Sequence, residues 1–170
     1  EFGHAVALSA DGNTLVVSAY WESSKATGIN GDQKDTSIPQ AGAIYVFTRR
    51  GTTWTQQAYI KASNTGEAGT AEAFGEGDQF GFSIALSADG NTIAAGAITE
   101  DSAATGINGN QADNSAAGAG AVYVFTRSGT TWSQQAYVKP AELNAGDLFG
   151  YAVSLSADGN MLAVGSFDED

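Results

Sequence analysis

The chain has 170 residues, with 19 acidic and 7 basic side chains and a formal net charge of −12. This balance argues against nucleic acids and anionic membrane surfaces as partners and favours cations or basic surfaces. There are no cysteines, so disulfides and thiolate metal sites are excluded. No apolar run approaches the roughly 20 residues that a membrane span needs.

The sequence repeats itself. The stretch FGFSIALSADGNTIAAGA, which begins at Phe80, has close copies that begin at Phe2 and Phe149. A second unit, AGAIYVFTRRGTTWTQQAYIKAS from Ala41, recurs from Ala119. Self-similarity over such long periods indicates supersecondary units that bury their faces against each other. We therefore predict two full units and the first two strands of a third, at residues 1–79, 80–148 and 149–170.

Four strands are predicted in each full unit. Residues 3–9 alternate with a period of two, and Asp11-Gly12 then supplies a hairpin turn into a strand of small and apolar residues, Leu15–Ala19. A third strand, Ala43–Thr48, is apolar on both faces. The fourth, Trp54–Lys61, carries glutamines in its middle, which indicates an exposed edge strand.

Antiparallel four-stranded units with small inner residues and a polar outer edge are typical of β-propeller blades. No segment has a helical period, so we predict an all-β chain of about two and a half blades. Propellers close with about 4 to 8 blades, so this chain alone forms an incomplete ring. We expect an excerpt of a longer polypeptide; the alternatives are completion by other copies, an open stack of sheets and a β-solenoid.

The Phe-Gly pairs at Phe2, Phe80 and Phe149, followed by segments such as Ala-Val-Ala-Leu-Ser and later Gly-Ala-Val-Tyr-Val-Phe, resemble the FG-GAP repeats of integrin α-subunit propellers and their bacterial relatives. The resemblance implies an extracellular or cell-surface module for adhesion and protein recognition. In that family some hairpins bind calcium through Asp-x-Asp-x-Asp-Gly. The hairpins here read Ser-Ala-Asp-Gly-Asn, with one carboxylate each, so that site is not expected.

The acidic residues sort by loop type. In an antiparallel blade, the connection from strand two to three and the crossing to the next blade leave at one end, and both short hairpins at the other. Asp11, Asp89 and Asp158 lie in hairpins. The long-loop end receives Glu22, Asp32, Asp35, Glu67, Glu72, Glu76, Asp78, Glu100, Asp101, Asp113, Glu142, Asp147, Asp168, Glu169 and Asp170. We expect one strongly electronegative end, and function tends to lie on such loops.

The two long loops, residues 20–40 and 98–118, repeat Thr-Gly-Ile-Asn-Gly between acidic residues. Carboxylates, asparagine side chains and backbone carbonyls are the oxygen ligands that Ca²⁺ prefers. The hypothesis is a cation site in each loop. Its ligands would come from Glu22, Asn30, Asp32, Asp35, Glu100, Asp101, Asn108 and Asp113. The alternative is that these residues cap turns and solvate the loop.

Two aromatic positions need an interpretation. Trp21 stands where the other copies have Thr99 and Asp168, so it either contacts a partner or packs under the loop. His4, the single histidine, is replaced by Phe82 and Tyr151 in the other copies. This predicts a packed ring in place of a catalytic base. No nucleophile-base arrangement, phosphate loop or zinc spacing is present, so we predict no enzyme activity.

The functional interpretation is a secreted or cell-surface propeller that binds a protein or glycan partner through its long-loop end, with calcium ordering those loops. The first alternative is a non-catalytic propeller domain of a larger extracellular enzyme. The second is a structural repeat module used in assembly, in which other blades of a longer chain or other copies complete the ring. Neither nucleic-acid binding nor membrane insertion is expected.

Overall fold

The computed structural model describes residues 1–66 and 77–168, and all regular structure in these residues is β. The first sheet comprises β1 (Val6–Leu8), β2 (Thr14–Ala19), β3 (Ala43–Arg50) and β4 (Thr53–Ile60). The second comprises β5 (Phe80–Leu86), β6 (Thr92–Ala97), β7 (Ala121–Ser128) and β8 (Thr131–Val138). The third comprises β9 (Ala152–Leu155) and β10 (Leu162–Gly165).

Each sheet is antiparallel, and its strands lie side by side in sequence order. The predicted fold class is confirmed: two four-stranded sheets and a two-stranded sheet form part of a propeller without a closed ring. Both full sheets have a register shift between their third and fourth strands, at Val46/Phe47 and at Val124/Phe125. The bulge leaves Gln57 of β4 and Gln135 of β8 without a strand partner.

The turn between β1 and β2 is fixed by its aspartate. Asp11 accepts hydrogen bonds from the Ser9 hydroxyl at 2.6 Å and from the Asn13 amide at 2.9 Å, while Gly12 adopts a φ of +67°. The hydrogen bond from Ser9, followed by those from Asn13, lowers the pKa of Asp11 to about 2. The carboxylate is thus occupied by the turn itself, which explains why the Ser-Ala-Asp-Gly-Asn sequence recurs.

Neighbouring sheets are bonded to each other at both ends. At the hairpin end the amide of Ala10 donates to the carbonyl of Ala88, and the amide of Ala88 donates to the carbonyl of Ala157, both at 2.8 Å. At the opposite end the amide of Phe80 donates to Ala41 at 3.1 Å, and the equivalent bond of the next unit has the same direction. The hydrogen bonds between neighbouring units therefore recur along the chain, as the units themselves do.

Glycine permits the crossing at Phe80. Gly42 has a φ of +81°, and a β-carbon at that position would lie 2.1 Å from the Phe80 carbonyl oxygen. Phe80 itself is fully buried and packs edge-on against Tyr123, with ring centroids 5.5 Å apart. The Phe-Gly pair thus anchors a new sheet where it meets the previous one.

The core lies between the first and second sheets. The first sheet contributes aliphatic side chains and the second mainly aromatic ones. Its main members are Val16, Ile44, Val46, Ile60, Phe80, Ile93, Tyr123, Phe125, Trp132 and Tyr137. Small residues on the inner strands also allow the second and third sheets to approach closely: a β-carbon on Gly96 would lie 2.1 Å from the carbonyl oxygen of Gly150.

Candidate functional site

The long connections gather at one end of the sheets. Thr65, which follows β4, donates its hydroxyl to the carbonyl of Ala26 at 2.9 Å. Asn64 donates to the carbonyl of Gln111 at 2.8 Å. The connection after β4 therefore touches both long loops, at the end opposite the bonded hairpins. We refer to this surface, formed by residues 20–42, 61–66, 77–79, 98–120, 139–149 and 166–168, as the long-loop end.

The acids of the long-loop end fall into two groups. Glu100, Asp78, Asp101 and Asp147 are buried. The more accessible ones are Asp32, Asp35, Asp113, Glu142 and Asp168. Glu67, Glu72, Glu76, Glu169 and Asp170 lie outside the described residues. Among the acids that the structure describes, four are thus committed to the interior, and these four do not contribute to the charge of the exposed surface.

Glu22, at the start of the first long loop, forms an ion pair with Lys61. Its carboxylate accepts from Lys61 Nζ at 2.8 Å and from the Ser24 amide at 3.1 Å. The lysine side chain is fully buried, and burial lowers its pKa. Glu22 therefore holds the first long loop to the end of β4.

Glu100 repeats this arrangement with more partners. Its carboxylate accepts from Lys139 Nζ at 2.9 Å, from the Tyr137 hydroxyl at 2.8 Å and from Asn64 at 3.1 Å. The Ser102 amide also donates to it. Every hydrogen-bonding direction of this buried carboxylate is used, which is the condition under which a buried charge is tolerated.

The first unit lacks part of this network. Tyr59 is the counterpart of Tyr137, but its buried hydroxyl makes no hydrogen bond within residues 1–66 and 77–168. Burial raises the pKa values of both phenols well above their ordinary range. At these equivalent positions the two units therefore differ: the hydroxyl of Tyr137 is hydrogen-bonded and that of Tyr59 is not.

Two further acids lie near Glu100. Asp78 is buried and accepts from the Gly66 amide at 2.9 Å. Burial, opposed by that hydrogen bond, raises the pKa of Asp78 to about 7. Asp101 accepts from the Gly118 amide at 2.8 Å, and burial also raises its pKa. Asp78 and Asp147 both precede a Phe-Gly pair, a recurrence that the sequence contains and that points to a structural role.

The repeated Thr-Gly-Ile-Asn-Gly segment covers a strand edge. The Asn30 amide donates to the Tyr59 carbonyl at 2.7 Å, and the Tyr59 amide donates to Asn30 Oδ1 at 3.0 Å. Asn108 makes the same pair with Tyr137, at 2.8 and 3.0 Å. Both asparagines have positive φ, near +58°. Each long loop thus pairs with the outer edge of β4 or β8, and we call these pairs the edge caps.

The more accessible aspartates of the loops accept hydrogen bonds from nearby residues of the same loop. Asp35 accepts from the Ser37 hydroxyl and amide at 2.6 and 2.8 Å, which lowers its pKa. Asp113 accepts from the Ser115 amide at 2.9 Å, and the Ser115 hydrogen bonds lower its pKa too. Asp32 accepts from the Lys34 amide. These bonds are typical of turn-forming aspartates.

The predicted cation ligands are therefore not grouped. Among residues 1–66 and 77–168 there is no set of three or more acidic or histidine side chains placed to hold a metal ion. Glu22 and Glu100 do not fit a ligand role, because each is neutralised by a buried lysine. Asn30 and Asn108 use their side-chain oxygens in the edge caps. Calcium binding stays a prediction for the remaining loop oxygens.

Trp21 is 46% exposed and belongs to a row of aromatic rings. Successive ring centroids are 4.3 to 5.5 Å apart across the inner strands of all three sheets. The row contains Trp21, Tyr20, His4, Phe82, Tyr151 and Phe167. His4 packs against its neighbours in this row, as predicted, although its side chain is exposed.

The outer face of the first sheet is apolar and open. A groove of about 250 Å³ is lined by Phe2, Leu15, Val17, Phe47 and Trp54. Their counterparts in the second sheet are all buried under the first sheet. We call this surface of the first sheet the leading face.

The equivalent face of the second sheet is covered by the first sheet, and its contacts show how such a face is closed. Trp132, the counterpart of Trp54, donates its indole N–H to Gln57 Oε1 at 3.0 Å. Arg127 donates to the same oxygen at 3.0 Å and lies over the Trp132 ring at 5.3 Å. The bulged glutamine of one sheet thus receives the arginine and tryptophan of the next. In the leading face, Arg49 already lies over Trp54 at 5.5 Å.

The repeated sheets and their shared interface define a β-propeller-type module. Residues 132–170 match the family model of the FG-GAP repeat, which confirms the resemblance seen in the Phe-Gly segments. Residues 132–170 therefore match an FG-GAP repeat, and repeats of this family are structural propeller units that are generally non-catalytic and typically extracellular. A search of curated proteins found no match to the chain. Within the described residues no helix is long and apolar enough to cross a membrane.

Proposed function

We propose that the chain is a non-catalytic propeller module, extracellular or at the cell surface, that binds a macromolecular partner through its long-loop end. The observation that carries the proposal is the gathering of both long loops and both inter-sheet crossings at one end, with accessible carboxylates among them. A rigid sheet scaffold that holds irregular loops together is the usual setting for recognition.

The charge pattern of this end supports a polar partner surface. Lys61 and Lys139 are buried and paired. Lys25 and Lys34 are exposed in the first long loop, and Lys25 lies 3.7 Å from Asp35, so the carboxylates are offset in the first loop and not in the second. Asp32, Glu142 and Asp168 are exposed. The partner would be a protein or a glycan that presents cationic or hydrogen-bond-donating groups. Trp21, exposed at the root of the first long loop, would supply apolar contact area.

The test compares two sets of charge changes at opposite ends of the sheets. The purified chain is screened on an array of extracellular proteins and glycans, and hits are measured again with Asp32→Asn/Asp113→Asn/Glu142→Gln. The matched control neutralises the hairpin aspartates: Asp11→Asn/Asp89→Asn/Asp158→Asn. We expect binding to be lost in the first variant and retained in the second. Loss confined to the hairpin variant, or equal binding by both, would refute the proposal.

Calcium is a separate part of the proposal and has its own test. Asp35 and Asp113 are partly exposed carboxylates at equivalent places in the two long loops, and Asp35 also lies 3.7 Å from Lys25. Calorimetric titration of the native chain with Ca²⁺ should give a signal that weakens in Asp35→Ala and in Asp113→Ala. A native chain without a binding signal, or variants that bind as well as the native chain, would remove calcium from the proposal.

A second candidate function, assembly, is favoured by the leading face. Its groove exposes Phe2 and Trp54, with 63% and 41% of their surface accessible, and it has the residues that the second sheet uses to dock on the first. The occupant would be another blade of this repeat, with a glutamine at the position of Gln57. Sedimentation at increasing concentration tests association through copies of the chain: Trp54→Ser should weaken it and Trp21→Ser should not. A strictly monomeric chain would exclude this route.

A further inference from the structure

The edge caps contain a chemical feature that the recognition proposal does not use. In both long loops the capping asparagine is followed by glycine, at Asn30-Gly31 and Asn108-Gly109. An asparagine side chain can be attacked by the backbone nitrogen of the next residue, and glycine leaves that nitrogen unshielded. We propose that Asn30 and Asn108 are sites of spontaneous deamidation and that this modification opens the edge caps.

The fold itself requires the glycine. A β-carbon on Gly31 would lie 2.6 Å from the β-carbon of Ala26, and one on Gly109 would lie 2.8 Å from that of Ala104. Neither contact is tolerated by a real side chain. Any residue that would shield the backbone nitrogen is therefore excluded by packing.

The fold also fixes the asparagine. Its positive φ favours Asn over most residues, and its Oδ1 accepts the amide proton of Tyr59 or Tyr137 at 3.0 Å. This hydrogen bond polarises the side-chain carbonyl and places a donor where negative charge develops during attack on Cγ. The contact that closes the cap thus also activates the amide.

The nucleophile and the leaving group are both unobstructed. Within residues 1–66 and 77–168, the amides of Gly31 and Gly109 donate no hydrogen bond. Asn30 and Asn108 are solvent-exposed, so ammonia can leave and water can enter. The geometry supplies a free backbone nitrogen, a polarised carbonyl and an open path at both positions.

The reaction is balanced by water alone. The glycine nitrogen loses its proton and bonds to Cγ, and the Cγ–Nδ2 bond breaks to release ammonia, which leaves a cyclic imide. Water then opens the imide at either carbonyl to give aspartate or isoaspartate. Isoaspartate brings Cβ and Cγ of residue 30 or 108 into the main chain, so the former Oδ1 becomes a main-chain carbonyl oxygen of a chain that is one carbon longer. The amide of Tyr59 or Tyr137 thereby loses the acceptor that it has in the cap. The outer edge of β4 or β8 would then be open to another strand.

The test is peptide mapping of the native chain after incubation in mildly alkaline buffer, with mass spectrometry of each asparagine. Asn110 is the internal control, because it is exposed in the same loop and its Oδ1 also accepts a backbone amide, but Gln111 follows it. We expect Asn30 and Asn108 to convert at least about tenfold faster than Asn110. Hydrogen exchange at the Tyr59 and Tyr137 amides should rise with the isoaspartate content.

A second arm separates activation by the fold from the reactivity of the dipeptide. The same chain is incubated in a denaturing concentration of urea, and we expect the folded chain to react at least as fast. The variant Gly31→Ala/Ala26→Gly keeps the space between the two residues and should slow conversion at Asn30 only. Retention of both amides in the folded chain while they convert in urea would overturn the proposal, because the caps would then protect the asparagines.

Discussion

Removal of the Glu100 carboxylate should destabilise the chain more than removal of its counterpart Glu22. Glu100→Ala leaves Lys139 buried without its ion-pair partner, and breaking one side of a buried pair costs about 3–5 kcal/mol. It also leaves the hydroxyl of Tyr137 without its acceptor. Glu22 has 12% of its side chain exposed, so water can reach the vacated site. We expect Glu22→Ala to cost about 2 kcal/mol less than Glu100→Ala.

The free energy of unfolding is measured by urea titration, followed by circular dichroism and tryptophan fluorescence. A second variant distinguishes the lost pair from a general defect in packing. Glu100→Leu/Lys139→Met replaces both charges with apolar groups of similar size, and such replacements are often neutral or stabilising. It should recover at least about 2 kcal/mol relative to Glu100→Ala. If Glu22→Ala costs as much as Glu100→Ala, or if the double variant recovers nothing, the reasoning about burial is refuted.

Three other outcomes are expected from unfolding measurements. Tyr137→Phe should cost about 1–3 kcal/mol because it leaves Glu100 short of a donor, whereas Tyr59→Phe should be neutral or stabilising; equal costs would contradict the difference in hydrogen bonding. Gly42→Ala should cost at least about 2 kcal/mol more than Gly51→Ala, since both have positive φ but only Gly42 meets backbone. For Asp78 the folded pKa of about 7 exceeds the ordinary value of 3.8, so the stability present below about pH 4 should fall by up to about 4 kcal/mol as the pH rises to about 7. Asp78→Asn should flatten this dependence, and a native profile that is already flat would exclude it.

The strands could be predicted from the sequence because their patterns are local. The alternation in β5 and the Asp-Gly turns can be recognised without knowledge of distant residues. Because the same patterns recur in each unit, chance does not explain them. Strand ends moved by one or two residues, except at β1, which begins only at Val6. The residues before Val6, including the exposed Phe2, lie beside the uncovered face of the first sheet. Their counterparts at Phe80 are held by hydrogen bonds to the preceding sheet, and the first sheet has no preceding sheet in this structure.

The long loops were harder to predict because their partners are distant in sequence. The sequence pattern predicts Glu22 and Glu100 as cation ligands, whereas the structure pairs them with Lys61 and Lys139. The sequence does contain a sign of this pairing, because Lys61 and Lys139 recur at the same interval as Glu22 and Glu100. The edge cap at Asn30 cannot be predicted for a similar reason. Only residues 28–30 pair with β4, and so short a segment shows no alternation of polar and apolar residues.

The hydrogen bonds between hairpins have a direction. Each unit gives the amide of its alanine to the carbonyl of the following unit, from Ala10 to Ala88 and from Ala88 to Ala157. The contact is therefore heterologous, with unlike surfaces on its two sides. A unit placed in reverse would set donor against donor or acceptor against acceptor, so a row of these units has polarity and can be extended only head to tail.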